Sequence, residues 1–249
     1  MIRDKNMKSI NKNKKGIVIL AGGKGSRLWP LTLLLPKPLL FVGFKKRMIH
    51  FVADLAKKEN MDVFILVREK YKENFLRNLG KSFYFLIGNE GKETGGEVIQ
   101  HAQTLLKMGK EQLVVAPADY YVNNIPFKDM FKKLDLGTDI VLLANKKRKN
   151  GEYLCLESGG FITKISKHSG TLSNVGVYGI KTKLMVDNRF ISRKIHTTCL
   201  INELIDLGYK TSFVFDENEW IDIGTFKNYL FYVLKYNIRR IYENLFNKS

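Results

Sequence analysis

Residues 16–28 read Gly-Ile-Val-Ile-Leu-Ala-Gly-Gly-Lys-Gly-Ser-Arg-Leu, an apolar run from Ile17 to Leu20 that leads straight into Gly22, Gly23 and Gly25. An unbroken, β-branched run stopped by glycine reads as a strand buried on both faces, the kind found in a parallel sheet covered by helices. The glycines then fall just past the strand's carboxyl end, where open α/β sheets form their ligand crevice. Without Cβ atoms they let the backbone approach a phosphate or base and turn its N–H groups toward it. Lys24 and Arg27 add positive charge at the same place. Two familiar phosphate loops do not fit. The Walker pattern needs Gly-Lys-Ser/Thr after a four-residue spacer, and the dinucleotide pattern needs a glycine where Leu28 stands.

Outward from this stretch, apolar strand-like runs alternate with segments of helical period. Gly16–Ala21, Asp62–Val67, Phe83–Ile87, Gln112–Ala116 and Ile140–Asn145 read as strands. Met48–Glu59, Lys72–Leu79, Gly96–Lys107 and Pro126–Leu134 place apolar residues three and four apart and read as amphipathic helices. That order is the βαβ signature. After Lys146 the texture changes. Tyr153–Glu157, the turn Ser158-Gly159-Gly160 and Phe161–Ser166 predict a hairpin, and Asn174–Ile180 a further strand. A helix at Thr198–Leu207, a strand at Lys210–Phe215 and a long helix at Thr225–Phe246 follow. No repeat and no Pro- or Gly-rich linker divides the chain.

The 249 residues are 45% apolar, enough for one large α/β core. The formal net charge is +18, from 42 Lys and Arg against 24 Asp and Glu, and its field favours anionic partners without choosing among them. Part of the excess lies in residues 1–15, where Arg3, Lys5, Lys8, Lys12, Lys14 and Lys15 face only Asp4; this reads as a basic, flexible, solvated tail. No signal-like apolar stretch follows it, and no run approaches the roughly 18 apolar residues of a membrane span. The expectation is a cytoplasmic protein. Cys155 and Cys199 lack a Cys-x-x-Cys partner, and His50, His101, His168 and His196 show no ligand spacing beside them, so a zinc site or cysteine nucleophile is not expected. The cluster Lys146-Lys147-Arg148-Lys149 reads as a solvated loop, with no recognised nucleic-acid motif beside it.

Beyond the glycines, Leu28-Trp29-Pro30-Leu31-Thr32 leads to Leu35-Pro36-Lys37-Pro38-Leu39-Leu40. Each proline fixes its own φ and pushes the residue before it toward an extended shape, so the path of Lys37 is largely set before a ligand arrives. An ammonium aimed in advance suits a polyphosphate.

As a whole, Leu20–Leu40 (LAGGKGSRLWPLTLLLPKPLL) resembles the signature of the sugar-phosphate nucleotidylyltransferases, Gly-Gly-x-Gly-x-Arg-Leu-x-Pro-Leu-Thr followed by Pro-Lys-Pro. Further matches occur in order to about Leu230. The resemblance implies a single-domain, Rossmann-like (GT-A-like) three-layer α/β/α fold with a mixed, mainly parallel sheet. A nucleotide part would span about 16–145, a smaller β-rich sugar-binding part about 146–224, and a C-terminal helix 225–246.

It also implies roles. The glycine loop, Leu20, Ala21, Gly22, Gly23, Lys24 and Gly25, would hold the nucleotide, with Arg27 at the triphosphate and Lys37 near the α-phosphate. Glu93-Thr94-Gly95-Gly96 stands where the family has Gly-Thr-x-Gly against base and ribose; Thr94 and Gly96 match, and Glu93 replaces a glycine. Asp119, in Pro117-Ala118-Asp119, corresponds to the family's magnesium aspartate. Asp222, in Trp220-Ile221-Asp222-Ile223-Gly224-Thr225, would complete the metal site. Two separated aspartates suit Mg²⁺, which prefers oxygen ligands and takes the rest from triphosphate and water.

On the sugar side, Gly151, Ser166, Lys167 and Asn174 occupy the matching positions. The usual Glu-Lys-Pro appears as Ser166-Lys167-His168, so the glutamate that meets sugar hydroxyls is missing, and Asn150 replaces an aromatic residue. Asn174-Val175-Gly176 matches Asn-x-Gly. Lys167 would grip the sugar's phosphate.

The implied reaction joins a nucleoside triphosphate to a sugar 1-phosphate by Mg²⁺-assisted in-line displacement, giving a nucleotide-sugar and pyrophosphate. Ser26–Leu31 with Pro117-Ala118-Asp119 leans toward GTP and a mannose- or heptose-like sugar, as in mannose-1-phosphate guanylyltransferases. Thr94-Gly95-Gly96 also resembles cytidylyltransferases, and thymidylyl or uridylyl transfer stays within the family. A binding or regulatory protein of the same fold is the rival reading, because positions 93, 166 and 168 depart from the pattern. No room is expected after Phe246 for the β-helix domain of some relatives. The C-terminal helix is a candidate surface for self-association, and no specific nucleic-acid partner is expected.

Overall fold

The structure is a computed structural model that describes residues 13–23, 25–43, 46–80, 83–89, 93–146, 151–157, 159–191 and 193–246. Lys24, Lys147, Arg148, Lys149, Asn150, Ser158 and residues 1–12 of the basic tail lie outside the described residues.

In chain order the strands are β1 (Lys15–Leu20), β2 (Phe41–Gly43), β3 (Lys46–Arg47), β4 (Asp62–Arg68), β5 (Tyr84–Gly88), β6 (Gln112–Pro117), β7 (Tyr120–Tyr121), β8 (Ile140–Asn145), β9 (Tyr153–Leu156), β10 (Ile162–Ser166), β11 (Leu172–Lys181), β12 (Thr211–Phe215) and β13 (Ile221–Asp222). The helices are α1 (His50–Lys58), α2 (Lys72–Leu79), α3 (Thr94–Lys107), α4 (Phe127–Asp135), α5 (Thr197–Asp206) and α6 (Phe226–Phe246). Each strand and helix expected from period lies within a few residues of its observed place. Lys15, counted with the tail in sequence, begins β1.

Among the described residues the main sheet has nine strands. β1 is central and parallel to β4 on one side and β6 on the other, with β5 parallel beyond β4. β11 runs antiparallel to β6, and β8 antiparallel to β11, with β12 parallel at β8's far edge. The hairpin β9–β10 pairs with the first residues of β11. The sheet is therefore mixed, with a parallel heart, in agreement with the expected three-layer α/β/α fold.

The alternation within β1 shows why both faces are covered. Ile17 and Ile19 pack with Val52 of α1, Phe75 of α2 and Phe131 of α4, while Val18 points the other way to Val98 of α3 and Leu200 of α5. All three β1 residues are fully buried, and burial of each such side chain stabilises the fold by about 1.5–3 kcal/mol. A third apolar cluster joins Leu28, Met48, Phe51, Tyr121 and Ile223 to Tyr232 of α6. That cluster draws the C-terminal helix to the glycine-loop side of the sheet. Among the described residues no helix is long and apolar enough to cross a membrane.

β1 is the point where the order of the parallel strands reverses, because the chain moves to β4 on one flank and later returns to β6 on the other. A crevice opens outside the carboxyl ends of strands at such a point. The glycine loop lies there, directly after β1.

Candidate active site

The glycine loop leaves β1 anchored by three hydrogen bonds. Ala21 N–H donates to Leu66 O at 2.8 Å, and Ala118 N–H donates to Leu20 O at 3.0 Å, so the first residues of the loop still belong to the sheet. The carbonyl of Gly22 accepts from Arg68 Nε at 2.8 Å. Gly23 is exposed, and a Cβ there would meet nothing within 4 Å. Gly25 needs its missing side chain twice over: φ is +66°, and a Cβ would lie 2.9 Å from both Lys37 Cβ and Thr32 Cγ2. The carbonyl of Gly25 accepts from Thr32 Oγ1 at 3.1 Å and from Leu28 N–H at 2.9 Å. The segments Gly25–Thr32 and Lys37 are thereby folded on each other.

Pro36 is extended, as its place before Lys37 and its fixed φ allow, whereas Lys37 opens a short 3-10 turn to Leu39 and so departs from the extended shape that Pro38 favours for the residue before it. The lysine is only 6% exposed. Its ammonium donates to Asp119 Oδ2 at 2.5 Å and lies 3.7 Å from Asp222 Oδ1. Buried ammonium groups are costly unless paired, and here two carboxylates supply the pairing.

A small ladder brings the aspartates together. β13 pairs antiparallel with β7, setting Asp222 against Tyr120 and Ile221 against Tyr121, while Ile223 N–H donates to Asp119 O at 3.1 Å. Asp222 itself leans over Gly224, where a Cβ would come 2.5 Å from its Oδ1. Upstream, Asn145 at the end of β8 donates to the carbonyls of Asp216 and Asn218 at 2.6 and 2.9 Å. Trp220 Nε1–H donates to Asp216 Oδ2, and its ring meets Tyr120 edge-on at 5.8 Å. The loop before Asp222 is thus fastened to β8 and to the residue after Asp119.

Beneath the glycine loop, Arg68 Nη2 pairs with Glu97 Oε1 at 3.0 Å. Glu97 is 4% exposed, and burial pushes its carboxyl above the usual range, with the Arg68 charge pulling the other way. A Cβ on Gly22 would lie 3.4 Å from Glu97 Oε2 and one on Gly88 3.4 Å from Oε1. The carboxylate fills the space these two glycines leave.

At the start of α3, Gly96 N–H donates to Ile195 O at 3.0 Å, and a Cβ on Gly95 would meet that same oxygen at 2.8 Å. The close approach that requires glycine is at Gly95, and the Gly96 N–H is already taken inside the protein. Thr94 is exposed and its hydroxyl accepts from Thr197 Oγ1 at 2.9 Å.

On the β-rich side, β11 bulges against β8 between Asn174 and Tyr178, with Gly176 at φ +83°. Asn174 Oδ1 accepts from Gly176 N–H at 3.1 Å. A Cβ on Gly176 would lie 3.8 Å from Pro117 Cγ and 3.9 Å from the Tyr120 hydroxyl, so this bulge faces the segment that carries Asp119. Ser166 Oγ accepts from the N–H groups of His168 and Ser169 at 3.1 and 3.3 Å, which closes the turn carrying Lys167. Lys167, Gly151 and Arg27 are exposed, and among the described residues neither Lys167 nor Arg27 makes an ion pair. Lys37, Asp119 and Asp222 are in direct contact; Arg27 and Lys167 stand free of that cluster.

Arg68, Glu97, Glu152, Thr197 and Thr198 were not singled out in sequence. Arg68 could have been, as a charge at the carboxyl end of a central strand. Glu97 sits in the first turn of a helix, where an acidic residue has an ordinary dipole explanation. His50, Cys155 and Cys199 stay outside the cluster; both cysteines are free thiols. Among the described residues no three His, Cys, Asp or Glu side chains converge as a complete metal cage. A pair of aspartates does fit a cation that draws its remaining ligands from triphosphate and water.

Comparison with known proteins adds the family. The chain is 28% identical to the mannose-1-phosphate guanyltransferase of Candida albicans over 239 residues, covering 87% of this chain and 62% of that protein. Against the protein of the same name from Neurospora crassa the identity is 28% over 230 residues, covering 86% and 62%. The chain therefore spans less than two thirds of the length of these relatives. A solved Bacillus anthracis structure, provisionally assigned as a glucose-1-phosphate thymidylyltransferase in complex with a sucrose, superposes with a TM-score of 0.75 at 18% identity. It covers 89% of this chain and 94% of that one, and shares its fold. The profile of the nucleotidyl transferase family matches residues 16–237, from the first strand through the glycine loop and both aspartates into α6, and the chain belongs to that family.

Proposed function

We propose that this protein transfers a nucleotidyl group from a nucleoside triphosphate to a sugar 1-phosphate, with GTP and a mannose-like sugar as the preferred pair. The observation that carries the reading is the convergence of Asp119 and Asp222 on the Lys37 ammonium at the mouth of the glycine loop. The guanine and mannose preference comes from the name of the fungal relatives.

A phosphate oxygen of the sugar 1-phosphate attacks the α-phosphorus in line; the new P–O bond forms as the bond to pyrophosphate breaks, and the electron pair leaves with pyrophosphate. Two anions must meet, so the protein's work is positioning and charge stabilisation. Asp119 and Asp222 would hold Mg²⁺, which supplies charge neutralisation at the α-phosphate when bound. Lys37 stabilises the charge that develops on the α-phosphoryl oxygens. Arg27, exposed on the turn after the loop, binds the triphosphate tail, and Lys167 orients the attacking phosphate. Gly23 and Gly25 let the loop backbone close on the nucleotide, with Lys24 beside them, and Thr94 lies at the ribose side. Gly151, Ser166 and Asn174 border the sugar.

Self-association through α6 belongs to the same proposal, supported by Phe226, Leu230, Leu234 and Ile238, which stand exposed at four-residue steps. A cytoplasmic setting is supported by the two unpaired cysteines and by nothing more specific.

The test is magnesium-dependent pyrophosphate release, measured over a matrix of the four common nucleoside triphosphates and a panel of sugar 1-phosphates. Turnover with GTP and mannose 1-phosphate is expected to lead the matrix. Binding of nucleotide and sugar phosphate without turnover in any combination would replace this reading with that of a binding or regulatory protein.

A further inference from the structure

Glu152 follows Gly151 and immediately precedes β9. Its carboxylate accepts from Thr198 Oγ1, in the first turn of α5, at 2.7 Å to Oε1 and 2.8 Å to Oε2. Asn174 Nδ2 donates to Oε2 at 3.0 Å, and the Glu152 carbonyl accepts from Asn174 N–H at 2.8 Å. Three separate elements, the β9 entry, the β11 bulge and the α5 start, thus fix one half-buried acid. A carboxylate is acceptor-only and offers about four lone-pair sites. Thr198 has one proton to share and Asn174 uses one N–H, so about two acceptor sites stay open.

Through Asn174, Glu152 is linked to the β11 bulge that faces the segment carrying Asp119. Asn174, bonded to Glu152, also fixes Gly176, and Gly176 faces Pro117 and the Tyr120 hydroxyl on either side of Asp119. The β9–β10 ladder ends with Ser166 opposite Tyr153, so Lys167 follows the last paired residue on one strand and Glu152 precedes it on the other. One acid and one ammonium at the same end of a hairpin match the two ends of a phosphorylated sugar, hydroxyl donors and a phosphate. Thr197, the neighbour of Thr198, meanwhile holds Thr94 on the nucleotide side.

We propose that Glu152 recognises the sugar's hydroxyl groups, filling the role of the glutamate that Ser166 replaces. The proposal rests on the nucleotidyl-transfer reading above. Ser166 has its oxygen turned into the 166–169 turn, whereas the Glu152 carboxylate is held in place by Thr198 and Asn174 before the ligand arrives. Hydrogen bonds to an ionised acceptor are roughly twice as strong as neutral ones, and an acceptor already fixed loses little entropy on binding. The substrate class this selects is a hexose-like 1-phosphate with a free ring hydroxyl toward Glu152, in preference to the analogue deoxygenated at that carbon.

The experiment compares the wild type with Glu152→Gln and Glu152→Ala, using Mg²⁺, GTP, mannose 1-phosphate and its four monodeoxy derivatives, with KM determined for each substrate. In Glu152→Ala the KM for mannose 1-phosphate is expected to rise about 10- to 100-fold. The KM for GTP stays within about twofold, and Glu152→Gln recovers part of the loss. One deoxy derivative reproduces the loss on the wild type and suffers no further loss on Glu152→Ala. An unchanged sugar-phosphate KM, or equal rises in both KM values together with a lower Tm, would overturn the assignment and leave Glu152 as a brace between β11 and α5. A wild type that turns over no sugar 1-phosphate would instead overturn the functional reading and this proposal with it.

Discussion

The Lys37 ammonium stands between two acids, 2.5 Å from Asp119 and 3.7 Å from Asp222. On the proposed reading a divalent cation would need these same carboxylates, so ammonium and metal would compete for them. Lys37→Met is expected to bind free Mn²⁺ more tightly than the wild type, as read by electron paramagnetic resonance. Turnover should nonetheless drop about a hundredfold, because the charge at the α-phosphate is lost. Weaker Mn²⁺ binding in the variant would contradict the competition.

Asp119→Asn keeps the side chain's shape while removing its charge. Pyrophosphate release should fall by about a thousandfold, and circular dichroism and Tm should stay close to wild type. Near-normal turnover would remove Asp119 from the reaction.

Arg68 and Glu97 predict a pH-dependent stability defect. Burial raises the Glu97 carboxyl in the folded protein and Arg68 opposes that rise, so the fold favours the protonated acid. This group's contribution is full at low pH and is lost as pH climbs through the raised folded value. Arg68→Met lifts that value further, and the ionised acid is then buried without its partner. The deficit against wild type should reach about 3 kcal/mol at pH 8 and be smaller at pH 5, measured by urea denaturation. Equal deficits at both pH values would show that the pair is not ionised in the fold.

Two glycines of the crevice should respond oppositely to alanine. Gly95→Ala drives a methyl against the Ile195 carbonyl, a backbone atom that cannot step aside, and should lose about 1–3 kcal/mol. Gly23→Ala enters open space and should change stability by less than about 0.5 kcal/mol. Chemical denaturation of both variants checks the contrast.

Period and glycine placement made the main sheet and its helices legible, because Ile17, Val18 and Ile19 encode a strand buried on both faces. The pairing β7–β13 was not legible, since two residues carry no period and their contact is set by Trp220, Asp216 and Asn145 in space. The contact of Lys37 with both aspartates could be anticipated only through the resemblance; spacing alone leaves all three as separate loop residues. At the start of α3 the motif does not say which glycine the packing requires: the Gly96 N–H donates to Ile195, and the tight approach is at Gly95. Arg68, Glu97 and Glu152 each have an unremarkable local explanation, and only their partners across the fold reveal them.

The ladder that seats Asp222 beside Asp119 has a consequence for how the protein comes into being. A growing polypeptide can assemble the parallel strands and the glycine loop while still tethered to the ribosome, yet the second acid is supplied by β13, about a hundred residues after Asp119. Until then Lys37 has one carboxylate in place of two. Nascent chains arrested before residue 222 would therefore fold much of the sheet without bringing Lys37 and the two aspartates together.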